Sequence, residues 1–267
     1  MVEYHPHEFT KTPNTMQRAP WLLVTLWMVL PMNVDAGTKI GSLTLHQAFT
    51  DVRVAHLVDA VVRGDYAEAD RQRKDGADVN VIGTDGISPL LWVIFENHRA
   101  HNYRGTEYLL KAGANPNYRD AKDGYSAMYF AAGGDNPELL ELLLQHKGDP
   151  NLLGPYNEPL LHMAVMDERQ KAIELLVKYG VNVNVLRDGR TVAQKAAALG
   201  RFDLIAYFLE KGLNHNLQGL AVTVENRLVP PNSEEQRWKD KVIEMLKERG
   251  VKFPAVVQRK VPKLDLP

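Results

Sequence analysis

The chain has no cysteine and no excess of charge of either sign. Without a thiol it cannot form a disulfide, a cysteine-ligated zinc site, a thiolate nucleophile or a lipidated N-terminal cysteine. Its 32 basic and 33 acidic residues give a formal net charge of −1, so no overall field attracts a polyanion and we expect no nucleic-acid partner. The GxSxG, GxxxxGK and HExxH signatures are also missing. These absences favour a protein that is not an enzyme and holds no cofactor.

Long apolar runs are scarce as well, and the most apolar one lies near the start of the chain. From Trp21 to Leu30 the sequence reads WLLVTLWMVL. This run is too short to span a bilayer, which takes about 20 apolar residues, but it fits the apolar core of a secretory signal. A buried apolar helix and an uncleaved anchor are the alternatives.

The flanks of this run agree with a signal peptide. Arg18 supplies positive charge upstream, and Val34 and Ala36 place small side chains where signal peptidase accepts them. We therefore predict a signal peptide over residues 1–36, cleaved after Ala36, and an exported mature chain. Translation from Met16 would give a more ordinary signal than translation from the first residue, and both starts stay open.

Two markers recur along the rest of the chain with nearly the same period. Short runs such as GADVN and GVNVN end in asparagines spaced by 37, 34, 33 and 32 residues. The second marker is a hydroxyl residue, or a residue in its place, that follows a turn sequence such as Asp-Gly. Successive positions of this marker are 38, 32 and 33 residues apart. The asparagines are Asn80, Asn117, Asn151, Asn184 and Asn216, and the second set is Ser88, Ser126, Glu158 and Thr191. Two markers in phase at about 33 residues resemble the ankyrin repeat.

Each marker has a physical role in a unit of two helices. The glycine of an Asp-Gly pair tolerates positive φ in the turn that starts the unit. Ser88, Ser126 and Thr191 are suited to cap the first helix, and Pro89 and Pro159 fit its first position. Leucine-rich runs then predict a buried second helix that ends at a glycine, and the asparagine follows in the hairpin that leads to the next unit.

The ankyrin resemblance implies an all-α solenoid of helix-turn-helix units joined by β-hairpin loops, over residues 55–254. Residues 37–54 form an N-terminal extension, and residues 255–267 form a tail. The second helix of the first unit, around residues 66–73, and the last helix of the chain are unusually polar, so we expect caps at both ends. The segment 96–105 is about four residues longer than a standard connection and predicts an inserted loop.

Two histidine positions raise the question of chemistry. His98 and His101, beside Glu96, suggest zinc binding in a metal-dependent enzyme. Catalytic zinc requires three preorganised ligands, however, and a solvated loop is the simpler interpretation. His162 lies between apolar neighbours on a first helix, where we expect a packing histidine rather than a catalytic base. We predict no metal site and no catalytic residue.

Ankyrin units present their hairpin tips and first-helix faces to a protein partner. Tyrosine and arginine dominate interface hot spots because they combine buried area with a polar group. Packing of the tyrosines along the hairpins is the competing interpretation. The marker alignment also places Val165 and Met166 at solvent-facing positions. The predicted partner-binding residues are Ile87, Phe95, Tyr118, Lys122, Tyr125, Tyr156, Arg187 and Arg190.

An export signal, a unit reading DGISPLLWVIFENH and a unit reading AAGGDNPELLELLLQHKGDPN are together similar to bacterial periplasmic ankyrin-repeat proteins. Proteins of this kind are often encoded beside lipase or phospholipase effectors of type VI secretion systems and act as immunity proteins. The resemblance implies a periplasmic chain that binds and neutralises such an effector. A second hypothesis is a periplasmic scaffold or assembly factor that binds an enzyme without inhibiting it, because one fold serves many functions. A gene for a secreted lipase beside the gene for this chain would favour the immunity hypothesis.

Overall fold

The computed structural model describes residues 39–40, 43–97, 101–134 and 136–255. This part of the chain contains thirteen α-helices, most of them in pairs, and two short antiparallel strand pairs. Strand β1 (Lys39–Ile40) pairs with β2 (Leu43–Thr44), and β3 (Leu186–Arg187) pairs with β4 (Arg190–Thr191). The helices are α1 (Leu45–Ala48), α2 (Val52–Arg63), α3 (Tyr66–Lys74), α4 (Pro89–Asn97), α5 (Arg104–Lys111), α6 (Ala127–Gly133), α7 (Pro137–Gln145), α8 (Leu160–Met166), α9 (Gln170–Lys178), α10 (Val192–Ala198), α11 (Phe202–Glu210), α12 (Leu217–Asn226) and α13 (Glu234–Glu248).

The helices from α2 onward form pairs that stack in a row. The first helices of neighbouring pairs pack on one another, α2 on α4, α6 on α8 and α8 on α10. The second helices pack in the same way, α7 on α9 and α11 on α13. This arrangement is the all-α solenoid that the repeat spacing predicts. Within the described ranges, no helix combines the length and the apolarity that crossing a bilayer requires.

One hydrophobic core runs along the stack. Trp92 and Phe202 are among its largest fully buried side chains. Helix α3 buries only Ala69, as expected of a polar helix that faces solvent in an N-terminal cap. The core begins upstream of residue 55, because Leu45 and Phe49 are buried and the Phe49 ring lies 5.9 Å from that of Trp92.

The predicted hydroxyl caps are present in three of the pairs. Ser88 and Ser126 each accept a backbone N–H from three residues ahead, at 3.2 and 3.0 Å. Thr191 forms a capping box with Gln194, and Pro89 is the first residue of α4. These bonds satisfy N–H groups that have no partner within the helix, which explains why the first helices begin at these residues.

The fourth unit departs from the predicted register by one residue. Pro159 occupies the cap position before α8, with no side-chain cap bond, and bridges the preceding hairpin strand as Ser126 does in its unit. The predictions that Glu158 takes the hydroxyl position and that Pro159 begins the helix are therefore wrong. Val165, predicted to face solvent, is fully buried. A shift of one residue turns a helix position by about 100°, which accounts for that error.

Most second helices end, as predicted, at a glycine in the left-handed region. Gly113 and Gly212 both have a φ of 94°. After α7 the arrangement differs, because Lys147 adopts the left-handed conformation with a φ of 70°. Gly148 is required there for a different reason, since a Cβ on it would lie only 2.8 Å from the carbonyl oxygen of Leu143.

Asparagine side chains join each hairpin to the next unit. Asn117 Nδ2 donates to the Lys147 carbonyl at 2.9 Å, and its Oδ1 accepts the N–H of Asp149 at 2.7 Å. The recurring asparagines therefore do more than turn the chain, because they bond residues about one unit further along. We call this set the asparagine ladder, and its members are Asn80, Asn117, Asn151 and Asn184.

We predict that Asn117→Ala lowers the free energy of unfolding by about 2 kcal/mol, because two hydrogen bonds of about 1 kcal/mol each are lost. Urea unfolding measures this change. Asn214→Ala is the matched control, since the exposed Asn214 side chain makes no hydrogen bond within the described structure. Its effect should stay within about 0.5 kcal/mol. Equal effects of the two substitutions would contradict a stabilising role for the ladder.

Candidate functional site

The hairpin tips that start the units place side chains at the surface. Three tips have two consecutive residues at positive φ: Asp85–Gly86, Tyr156–Asn157 and Asp188–Gly189. Turns of this kind favour Asp, Asn and Gly, because a Cβ is crowded in the left-handed region. Tyr156 is the exception among them, and its side chain is 75% exposed. An exposed tyrosine in a strained turn points to a function other than stability.

Four aromatic side chains from two neighbouring units meet beside these tips, and Tyr156 of the next unit lies near them. The ring centroids of Phe95 and Phe130 lie 4.9 Å apart, and Tyr125 stacks on Phe130 at 5.4 Å. Tyr129 meets Tyr125 edge-on at 5.5 Å, and Tyr156 lies within electrostatic range of Tyr125. All except the exposed Tyr156 are half-buried. We call Phe95, Tyr125, Tyr129, Phe130 and Tyr156 the aromatic patch.

The sequence prediction includes three members of the patch but misses Tyr129 and Phe130. The available signal is two consecutive aromatic residues soon after a helix cap, on the first helix that a partner would face.

The other predicted binding residues surround the patch with different degrees of exposure. Ile87 and Tyr118 are half-buried and pack against the core, which agrees with the packing interpretation for that tyrosine. Lys122 and Arg190 are exposed, as is Met166. A role for these side chains in binding stays a prediction.

Arg187 is engaged within the chain. It forms an ion pair with Glu158, and Lys195 Nζ lies 3.1 Å from the other oxygen of the same carboxylate. The three side chains are only 21 to 24% exposed. Glu158 precedes its cap residue, as Ile87 and Tyr125 do in their units, so it belongs to the row of tip residues that the sequence prediction describes. Arg187 thus holds two hairpins together rather than offering a free charge.

His162 is a packing residue, as predicted. It is fully buried, and its Nε2 donates to the carbonyl of Val185 at 3.2 Å. Burial, assisted by the positive charge of Lys195, lowers the pKa of His162 to about 4, so the ring is neutral near pH 7. Enclosed in this way, the ring cannot reach a substrate.

The connection between α4 and α5 is long, as the sequence predicts. His98 lies outside the described residues. His101 Nδ1 is 3.5 Å from the Tyr103 hydroxyl. Across the ranges that the structure describes, no three side chains of His, Asp or Glu meet in a way that could hold a metal ion. The hypothesis of zinc at His98 and His101 therefore stays untested.

The stacked helix pairs and their hairpins correspond to a known repeat family. A family model of three ankyrin repeats matches residues 134–219, and a model of many ankyrin repeats matches residues 98–144. The chain contains ankyrin repeats. These two matches include four of the five residues of the aromatic patch, and Phe95 lies just ahead of them. The patch is therefore built on ankyrin units rather than on the caps.

Similar proteins share a segment of this ankyrin array. The chain is 30% identical over 95 residues to E3 ubiquitin-protein ligase KEG of Arabidopsis thaliana, over 36% of this chain and 6% of that protein. It is 32% identical over 98 residues to Ankyrin repeat and SOCS box protein 6 of Mus musculus, a match that covers 36% of this chain and 23% of that protein. It is 34% identical over 108 residues to Transient receptor potential channel pyrexia of Drosophila melanogaster, a match that covers 40% of this chain and 11% of that protein. The chain spans less than a quarter of each.

We predict that Tyr156→Asn raises the free energy of unfolding by about 1 kcal/mol, because asparagine tolerates the left-handed conformation better than tyrosine. Leu228→Asn is the control, since Leu228 is 91% exposed and has no positive φ. It should change stability by less than about 0.5 kcal/mol in urea unfolding. A loss of stability in Tyr156→Asn would show that the ring stabilises its own tip.

Proposed function

We propose that this ankyrin-repeat chain is an immunity protein that binds and neutralises a periplasm-acting lipase or phospholipase effector of a type VI secretion system. The aromatic patch is the observation that carries the proposal. Interfaces are enriched in aromatic residues, and a few such residues supply most of the binding energy. Rings from two neighbouring units contact one another, and the exposed Tyr156 of the next unit lies near them, at the face where ankyrin units meet partners.

The chemistry of the patch favours binding over catalysis. Its members are phenylalanine and tyrosine, and the titratable group with the largest shift is Tyr129. Burial, with smaller effects from Tyr125 and Asp167, raises the pKa of Tyr129 to about 12. The phenol therefore stays protonated near pH 7 and is a hydrogen-bond donor rather than a base.

Export is part of this proposal. The apolar run from Trp21 to Leu30 and the small side chains before Gly37 support removal of residues 1–36, which would bring the ankyrin stack into the periplasm. Mass spectrometry of the native protein from the periplasmic fraction checks this step. We expect a chain that begins at Gly37. A chain in the membrane fraction, or one that begins at Met16, would contradict it.

The binding test uses Tyr156→Asn, because we expect this variant to be at least as stable as the wild type. Calorimetry against the purified lipase encoded beside the gene should show a roughly thirtyfold weaker complex, corresponding to about 2 kcal/mol for a hot-spot ring. Cells that produce the lipase in their periplasm should survive with the wild-type chain and not with this variant. Arg71→Ala, on the exposed surface of α3, is the control and should leave both results unchanged.

Each contrary outcome has a definite meaning. A wild-type chain that does not bind the lipase, or a genome with no such lipase gene nearby, would refute the immunity role. Binding that leaves the lipase fully active would favour the scaffold hypothesis instead. If Tyr156→Asn and Tyr125→Ala both bind like the wild type while Arg71→Ala fails, the partner contacts the N-terminal cap and not the patch.

A further inference from the structure

We propose that the first-helix face beside the aromatic patch binds a basic segment of the protein partner. In this proposal, which rests on the proposed function, lysine or arginine side chains of the segment pair with the carboxylates of Glu96 and Asp167. Apolar neighbours of those basic residues cover the aromatic rings.

The two carboxylates occupy the same position in two different units. Glu96 follows its cap residue Ser88 by eight residues, and Asp167 follows Pro159 by eight. The unit between them has Gly134 at this position, so it contributes no side chain there. First helices that pack side by side lie about 8 to 10 Å apart, which sets the two positions about 16 to 20 Å from one another. An extended segment of about six residues spans that distance.

Both carboxylates are partly desolvated and unpaired. Burial raises the pKa of Glu96 to about 7 and also raises the pKa of Asp167, on which the positive charge of nearby Arg169 acts in the opposite direction. Glu96 Oε1 is buried without a hydrogen bond, and neither side chain has an ion pair within the described residues. By contrast, Glu158 pairs with two cations and Asp203 with Arg201 at 2.7 Å. An unpaired charge that is withdrawn from water is costly, so a cation from the partner would relieve a cost already present in the free chain.

The aromatic patch lies between these two carboxylates. Glu96 adjoins Phe95, whose ring meets Phe130 at 4.9 Å, and Asp167 acts electrostatically on Tyr129. Cations bind to the faces of aromatic rings, and the long stems of lysine and arginine cover apolar surface. The rings and the carboxylates therefore favour the same side chains on the partner.

The charges at the hairpin tips do not oppose this choice. The exposed tip residues are of mixed sign, with Lys122 next to Asp123 and Arg190 near Asp188. The carboxylates of Glu96 and Asp167 thus decide that the face prefers a basic segment over an acidic one. An acidic segment would bring like charge against both of them, which is strongly disfavoured at an interface.

The test selects a random phage-displayed peptide library on the immobilised full chain and, in parallel, on Tyr156→Asn. We expect peptides that only the wild-type chain recovers to combine basic and apolar residues. A synthetic peptide of the most frequent sequence is then titrated against the double variant Glu96→Gln/Asp167→Asn. This variant should bind at least about tenfold more weakly, because charge-assisted hydrogen bonds are lost.

The matched control is Glu138→Gln/Glu248→Gln, which removes two exposed carboxylates from α7 and α13 and changes the formal net charge by the same amount. It should bind the peptide within about twofold of the wild type, since exposed charges contribute little. Urea unfolding should show no loss of stability in Glu96→Gln/Asp167→Asn, because the substitutions remove unpaired, partly buried charges. A weaker complex then reflects the lost contacts and not unfolding.

The outcomes separate this inference from the immunity role. Selected peptides without basic residues, no peptides that depend on Tyr156, or equal binding by Glu96→Gln/Asp167→Asn would each overturn the basic-segment proposal. A chain that inhibits the lipase through Tyr156 but selects neutral or acidic peptides refutes only that proposal. A chain that selects basic peptides and does not bind the lipase refutes only the immunity role.

Discussion

The asparagine ladder sets how neighbouring hairpins sit on one another, and the candidate binding surface depends on that placement. Within the described residues, helix pairs pack on their neighbours in the row, so adjacent pairs position each hairpin tip. The ladder bonds, such as those of Asn117 at 2.7 and 2.9 Å, tie one hairpin to the next. Rings from two neighbouring units meet at 4.9 to 5.5 Å because their hairpins and first helices are held in register.

Three departures from local preference lie beside the aromatic rings. Tyr156 occupies a turn position that suits Asp, Asn or Gly, and Glu96 and Asp167 are partly buried without ion pairs in the described part of the chain. By contrast, three of the first helices carry hydroxyl caps, and Glu158 is paired with two cations. Proteins concentrate such locally unfavourable choices at functional sites. Their grouping around the aromatic rings makes this face the candidate for binding.

The repeat period, the helix caps and most glycine helix ends could be predicted from the sequence, because each depends on a few adjacent residues. The register of the fourth unit could not, since Pro159 takes a cap position without a hydroxyl and Glu158 resembles a substitute for one. The site was predictable only in part. Tyr125 and Tyr156 follow from hairpin positions, but the Glu158–Arg187 ion pair and the packing of Phe130 on Phe95 join residues about thirty positions apart. Local spacing carries no information on such contacts.

The most direct test of the binding face is amide hydrogen exchange of the full chain, alone and in complex with the neighbouring lipase. A binding face at the aromatic patch predicts slower exchange on complex formation in the hairpins around Tyr125 and Tyr156 and in the first helices α4 and α6. Exchange in α3 and α13 should not change, because these helices belong to the caps at the two ends of the stack. Protection confined to α3 or α13, with none at the two tyrosine hairpins, would contradict it.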